Sequence, residues 1–120
     1  EVLFRQHRPA DARRELGVLL RDREAVEKVR MLRSLVRALR EATLHQEAAR
    51  LLVHILDLDP KLLAVRRELA EIYLYQRHEP RRAAPELARL AERFPELPDG
   101  AWAAGELQKI KEEMAREDEP

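Results

Sequence analysis

Between Val29 and Pro95 the chain writes nearly the same pattern twice, and this restricts its fold more than any other feature. The first copy reads Leu32-x-x-Leu35-Val36-x-x-Leu39, then Ala48-x-x-x-Leu52-x-x-Ile55, then Pro60. The second reads Leu69-Ala70-x-x-Tyr73, then Ala83-x-x-x-Leu87-x-x-Leu90, then Pro95. Offsets of three and four place apolar residues on one face of a helix, so each copy predicts two amphipathic helices. The pairs Leu35-Val36 and Leu69-Ala70 lie 34 residues apart and the two prolines 35 apart. Small residues at Ala48, Ala70 and Ala83 permit close helix approach, and large ones fill the gaps.

Composition agrees with helix. Only 3 of the 120 residues are Gly, and Ala, Leu, Glu and Arg are abundant. No β-branched run reaches strand length. Aromatic residues make up 4%, so aliphatic side chains must build the core. The length suits one domain, residues 1–120. With 23 basic and 23 acidic residues the net charge is zero, which argues against a general nucleic-acid or anionic-membrane binder. There is no Cys, hence no thiol chemistry. No apolar run approaches a membrane span and no signal peptide is visible, so a cytoplasmic location is expected. The preference for Arg over Lys suggests a GC-rich bacterial genome. Opening on Glu1 rather than Met is expected of a fragment or a processed form.

The period and residue types resemble the tetratricopeptide repeat (TPR) signature, a helix–turn–helix unit of about 34 residues. The resemblance implies an all-α fold, a short right-handed solenoid of antiparallel helix pairs, the TPR-like α-α superhelix. The repeats span 29–62 and 63–97. The resemblance departs at the first signature position, where the family's usual aromatic is Leu32 in one repeat and Arg66 in the other. The family's usual Gly is Val36 or Ala70. The aliphatic stem of Arg66 is expected to cover apolar surface while its charge reaches solvent.

The flanks fit the same scheme. Residues 10–22 read as a helix, a partial upstream repeat with Ala12, Leu16 and Leu19 in register, and Asp22 is a candidate N-cap for a second helix over 23–43. That helix is expected to bury Leu32, Leu35, Val36 and Leu39. Its partner, 47–58, is expected to bury Ala48, Leu51, Leu52, Ile55 and Leu56 and to stop before Pro60. In the second repeat Leu69, Ala70 and Tyr73 face inward. Its partner helix covers about 81–94. Pro85 requires either a start near Ala84 or an irregular first turn. A capping helix over 99–116, with Asp99 at its cap and Ala103, Leu107, Ile110 and Met114 on one stripe, closes the end of a solenoid.

Arg30, Arg33, Arg37 and Arg40 recur at offsets of three and four, so they share one stripe about 120° from the Leu32–Leu35–Leu39 line. In TPR-like proteins the first helix of each pair lines the concave face, so the resemblance places this stripe where family members hold peptides. The matching places in the next repeat are Arg67, Glu71 and Tyr75. Guanidinium groups in a row suit carboxylate or phosphate partners. The expected function is therefore a non-catalytic interaction module that holds an acidic peptide or protein surface. The bland reading is a solvated helix face neutralised by Glu41, Glu71 or the acidic C-terminal helix. Two other readings stand beside it. One is a segment of a longer array, or a homo-oligomer contact through Val2, Leu3, Phe4 and Leu16. The other, RNA binding, is disfavoured by the charge balance and the lack of stacking aromatics.

Catalytic and cofactor signatures are missing. His7, His45, His54 and His78 lack metal-ligand spacing, there is no Gly-rich phosphate loop, and Ser34 and Thr43 have no nucleophile setting. Trp102 is either core packing or an interface anchor.

Overall fold

A computed structural model describes residues 9–117, with side chains from residue 23 onward. Five α-helices follow one another: α1 (Pro9–Glu41), α2 (His45–Leu58), α3 (Leu63–Glu71), α4 (Pro80–Arg93) and α5 (Pro98–Glu117). A π-helical turn, Ile72–Gln76, extends α3. No strand occurs among the described residues. Each helix packs on its neighbours in sequence, and the stack measures 75 × 34 × 22 Å.

The first difference from expectation is α1, which runs through Asp22 without a break. Asp22 has the chemistry of a cap, but the only Gly upstream of it within the helix, Gly17, is carried inside α1 and does not end it. Downstream, Arg23 Nε donates to Glu27 Oε1 at 3.3 Å, an i,i+4 pair that supports continuity. At 33 residues α1 is about 50 Å long, against about 21 Å for the 14-residue α2. Packing on α2 therefore uses only the C-terminal part, beginning at Val29.

Two apolar clusters hold the stack together. Val36 from α1, Ala48, Leu52 and Ile55 from α2, and Val65, Leu69 and Ile72 from α3 and the π turn form the first. Ala70, Ala83, Leu87, Leu90, Ala103 and Ile110 join α3, α4 and α5 in the second. Tyr73 packs against both. Each fully buried Leu or Ile contributes about 1.5–3 kcal/mol. Leu107 and Met114 are half-buried on the second cluster, so the predicted α5 stripe is present.

Leu35 is a correction. It is 48% exposed, while its neighbour Val36 is buried. Residues 35 and 36 are 100° apart around the helix, and only one can point at α2. Met31 is 64% exposed on the same side as Leu35.

Arg66 is a second correction. Its side chain is only 6% exposed and its Nη1 lies 2.6 Å from Glu86 Oε2, itself 16% exposed. Nη2 also donates to the Pro60 carbonyl at 3.1 Å. The charge is thus neutralised inside the α3–α4 contact and does not reach solvent.

The two helix-pair turns are variants of one design. Thr43 (φ 61°) and His78 (φ 53°) both take the left-handed conformation, 35 residues apart. In the first turn the Thr43 amide donates to the Arg40 carbonyl and the Leu44 amide to the Leu39 carbonyl, a Schellman motif. In the second turn the Glu79 amide reaches back to the Tyr73 carbonyl, one residue further than Leu44 to Leu39. The Arg77 amide donates to the Ile72 carbonyl, a five-residue span that makes the turn π-helical. The mismatch between the 34-residue and 35-residue spacings is therefore one inserted residue, taken up between Ile72 and Gln76.

Further along, Pro80 takes the first turn of α4, where its missing amide costs little. The helix therefore begins before Ala84 and carries Pro85 inside it. Pro85 and Arg81 are both exposed, so water reaches the Arg81 carbonyl that lacks a helical donor. Asp99 lies within the first turn of α5 rather than at its cap. Gly100 is buried where that turn crosses the end of α4. A Cβ there would collide with the Phe94 carbonyl, so the close approach requires glycine.

Candidate functional site

The predicted arginine stripe lies on the exposed side of α1, and Val36 turns the other side into the core. Arg33, Arg37 and Arg40 come together with Glu41 and with Glu68 of α3 around a cleft of about 340 Å³. Arg30 lies in an adjoining hollow of about 430 Å³ that also contains Val26, Val29 and Ser34. Ser34 Oγ donates to the Arg30 carbonyl at 3.2 Å, so this hydroxyl is satisfied along its own helix.

Charge in this row is unevenly compensated. Arg40 Nη1 lies 3.2 Å from Glu68 Oε2, with both side chains about one-third exposed. A pair at that exposure is worth about 0–1 kcal/mol, so an incoming carboxylate can compete for it. Arg30, Arg33 and Arg37 are exposed and make no ion pair among the described residues. The cleft therefore has three arginines and Glu41 on its α1 wall and Glu68 on its α3 wall, a net excess of cation.

Arg67 is placed differently. Its guanidinium donates to Asp99 of α5 and, through Nε, to Glu71 at 3.3 Å. It also stacks on Trp102, 4.4 Å from the ring centroid. The hydrogen bond to Asp99 holds its pKa above the usual guanidinium value, partial burial opposes this, and the charges of Asp99 and Glu71 add to it. Arg67 is thus engaged with Glu71 on its own helix and with α5. Tyr75, at the π turn, is half-exposed and stands apart from the α1 clefts.

Of the two roles that its sequence context left open, the structure shows core packing for Trp102. Its ring packs on the second apolar cluster and carries Arg67 on its face. Glu68, Asp99 and Trp102 were not singled out as site residues. Glu68 follows Arg67 directly, so its signal was an opposite charge one step around α3, legible only once α1 and α3 are placed side by side.

The arginines, Glu68, Asp99 and Trp102 come from α1, α3 and α5 only. These are the first helices of the successive pairs and the closing helix. His45, expected at the surface or in a turn, is half-buried with Nδ1 enclosed and lacking a hydrogen-bond partner. No cluster of three or more metal-ligating side chains occurs among the described residues. No helix of the described part is long and apolar enough to cross a membrane. No family model, curated protein or solved structure matches this chain.

Proposed function

We propose that the chain is a TPR-like helical-repeat module without catalytic activity, and that it holds an acidic peptide segment in the cleft between α1 and α3. The observation that carries this reading is the set Arg30, Arg33 and Arg37, cations presented on one stripe beside a cleft and making no ion pair among the described residues. Arg40 extends the set by exchanging Glu68 for a carboxylate of the guest. Arg67, Glu71 and Tyr75 do not line these clefts, and Arg67 is already neutralised by Asp99, so they are secondary to the row. Several residues in both repeats keep family-type positions, and both turns carry a left-handed residue, 35 positions apart, one more than the 34-residue period. These regularities support the repeat reading.

The test is charge reversal. Wild type should bind a fluorescent peptide of glutamate and glycine, and Arg33→Glu/Arg37→Glu should bind it at least about tenfold more weakly. Far-ultraviolet circular dichroism should be unchanged, because both side chains are exposed. Equal binding by the two proteins refutes the proposal.

A second reading is favoured by Met31 and Leu35, exposed apolar residues on α1. In an array, this is where another helix pair or a second copy would pack. Sedimentation equilibrium should then show self-association that is lost in Leu35→Glu; a monomer at all concentrations refutes it.

A further inference from the structure

A different cleft, of about 260 Å³, opens between α2, the π turn and α4. None of its lining residues lines the arginine clefts on α1. Gln46 and Arg50 of α2, Arg77 after the π turn and Arg82 of α4 supply its polar wall. Ala49, Val53 and the ring of Tyr73 supply an apolar one. We propose that this cleft binds a phosphate monoester whose ester group is small and apolar or aromatic.

Charge, geometry and an inserted residue point to this ligand. The first is charge. Glu79 is shared by Arg77, at 2.8 Å, and Arg82, at 3.0 Å, which leaves one positive charge of the pair uncompensated. Arg50 is exposed and makes no ion pair among the described residues. The cleft thus presents a net excess of cation, as an oxyanion site requires.

The second is geometry. The donors come from three separate elements, so an anion held by all of them needs acceptor oxygens in several directions. A planar carboxylate accepts best within its own plane, whereas a tetrahedral phosphate accepts from several directions. Burial raises the pKa of Tyr73, the charge of Glu86 adding to this, so its phenol stays a donor. The volume lies below the roughly 300–1,000 Å³ of sites for drug-sized ligands. It suits a phosphorylated group, with Ala49, Val53 and Tyr73 against the carbon part.

The third is the inserted residue. The first repeat closes the equivalent turn with one residue fewer and a regular Schellman motif. A π turn gives poorer hydrogen-bond geometry than continued α-helix and is concentrated at functional sites. Here the insertion changes by one residue the helical phase of everything between Ile72 and His78. Arg77, which follows the π turn, lines the cleft from that shifted position.

The experiment is a titration of the protein followed by two-dimensional NMR, with phenyl phosphate, inorganic phosphate and benzoate as probes. Phenyl phosphate should give saturable shifts at Tyr73 and Arg77, inorganic phosphate weaker ones, and benzoate the weakest. Arg50→Glu should weaken phenyl phosphate binding about tenfold or more. Deleting Gln76, which restores the turn length of the first repeat, should do the same. If that deletion fails to fold, Arg50→Glu decides alone. No saturable shift in wild type, or undiminished binding by Arg50→Glu, overturns the site. Inorganic phosphate or benzoate binding as tightly as phenyl phosphate overturns the assignment of an ester. A phosphoserine peptide and a phosphotyrosine peptide, run beside phenyl phosphate, distinguish a protein-borne phosphate from a small molecule. Tighter binding by either supports the protein source, and neither exceeding phenyl phosphate supports the small one.

Discussion

Replacing Arg66 by Met should destabilise the fold far more than its position in the repeat suggests. The guanidinium is 6% exposed and sits 2.6 Å from a carboxylate that is 16% exposed. Met matches the length of the stem and keeps most of its packing, so the loss is electrostatic. Glu86 would then carry an enclosed negative charge with no cation. Breaking one side of a buried pair costs about 3–5 kcal/mol. The Pro60 carbonyl also loses a donor, but Pro60 is exposed and water replaces it at little cost. For a domain of this size 1 kcal/mol corresponds to about 4 °C, so the midpoint should fall by roughly 12–20 °C. Removing both charges is a different perturbation. In Arg66→Met/Glu86→Leu nothing charged is left behind, and the double variant should lie within about 1.5 kcal/mol of wild type. Urea unfolding of wild type, both single variants and the double variant closes the cycle; with each single variant losing about 3–5 kcal/mol, the expected coupling is about 4.5 kcal/mol or more. Additive single effects would refute the buried pair and return Arg66 to a solvent-reaching side chain.

Three further substitutions test local features. Gly100→Ala should lose more than about 2 kcal/mol in urea unfolding, because the new methyl group meets the Phe94 carbonyl, backbone that cannot turn aside. Gly105→Ala, on the same helix with open space around its Cβ, should instead gain about 1 kcal/mol. Thr43→Gly should gain about 1 kcal/mol by relieving a left-handed β-branched residue, after allowing for the lost hydroxyl bond to the Ala42 carbonyl; an unchanged midpoint contradicts the strain at that turn.

The helix pairs were legible because their signals are redundant. Ala48, Leu52 and Ile55 on one side, and Ala83, Leu87 and Leu90 on the other, each combine periodicity with a proline stop, and all six are buried. Leu35 was not legible, because an adjacent apolar pair satisfies both the three- and four-residue offsets and periodicity alone does not choose between its members. The continuity of α1 was missed for a related reason. Asp22 offers a start signal, yet a helix stops only where something ends it, and α1 has no such residue there. The π turn left one visible trace, the difference between the 34- and 35-residue spacings, but sequence does not say whether an extra residue joins a helix or a loop. Arg66 and Arg67 show the limit most clearly. Neighbours in sequence, they meet different carboxylates, Glu86 of α4 and Asp99 of α5, and only the packing of three helices assigns each partner.

The proposed interaction surface is most directly tested by following the Nε–Hε resonances of the arginines while an acidic peptide of about eight residues is added. The account predicts saturable shifts at Arg33, Arg37 and Arg40, with Arg67 little changed because Asp99 already occupies it. Shifts confined to other arginines, or no saturable shift at any of the three, would contradict it.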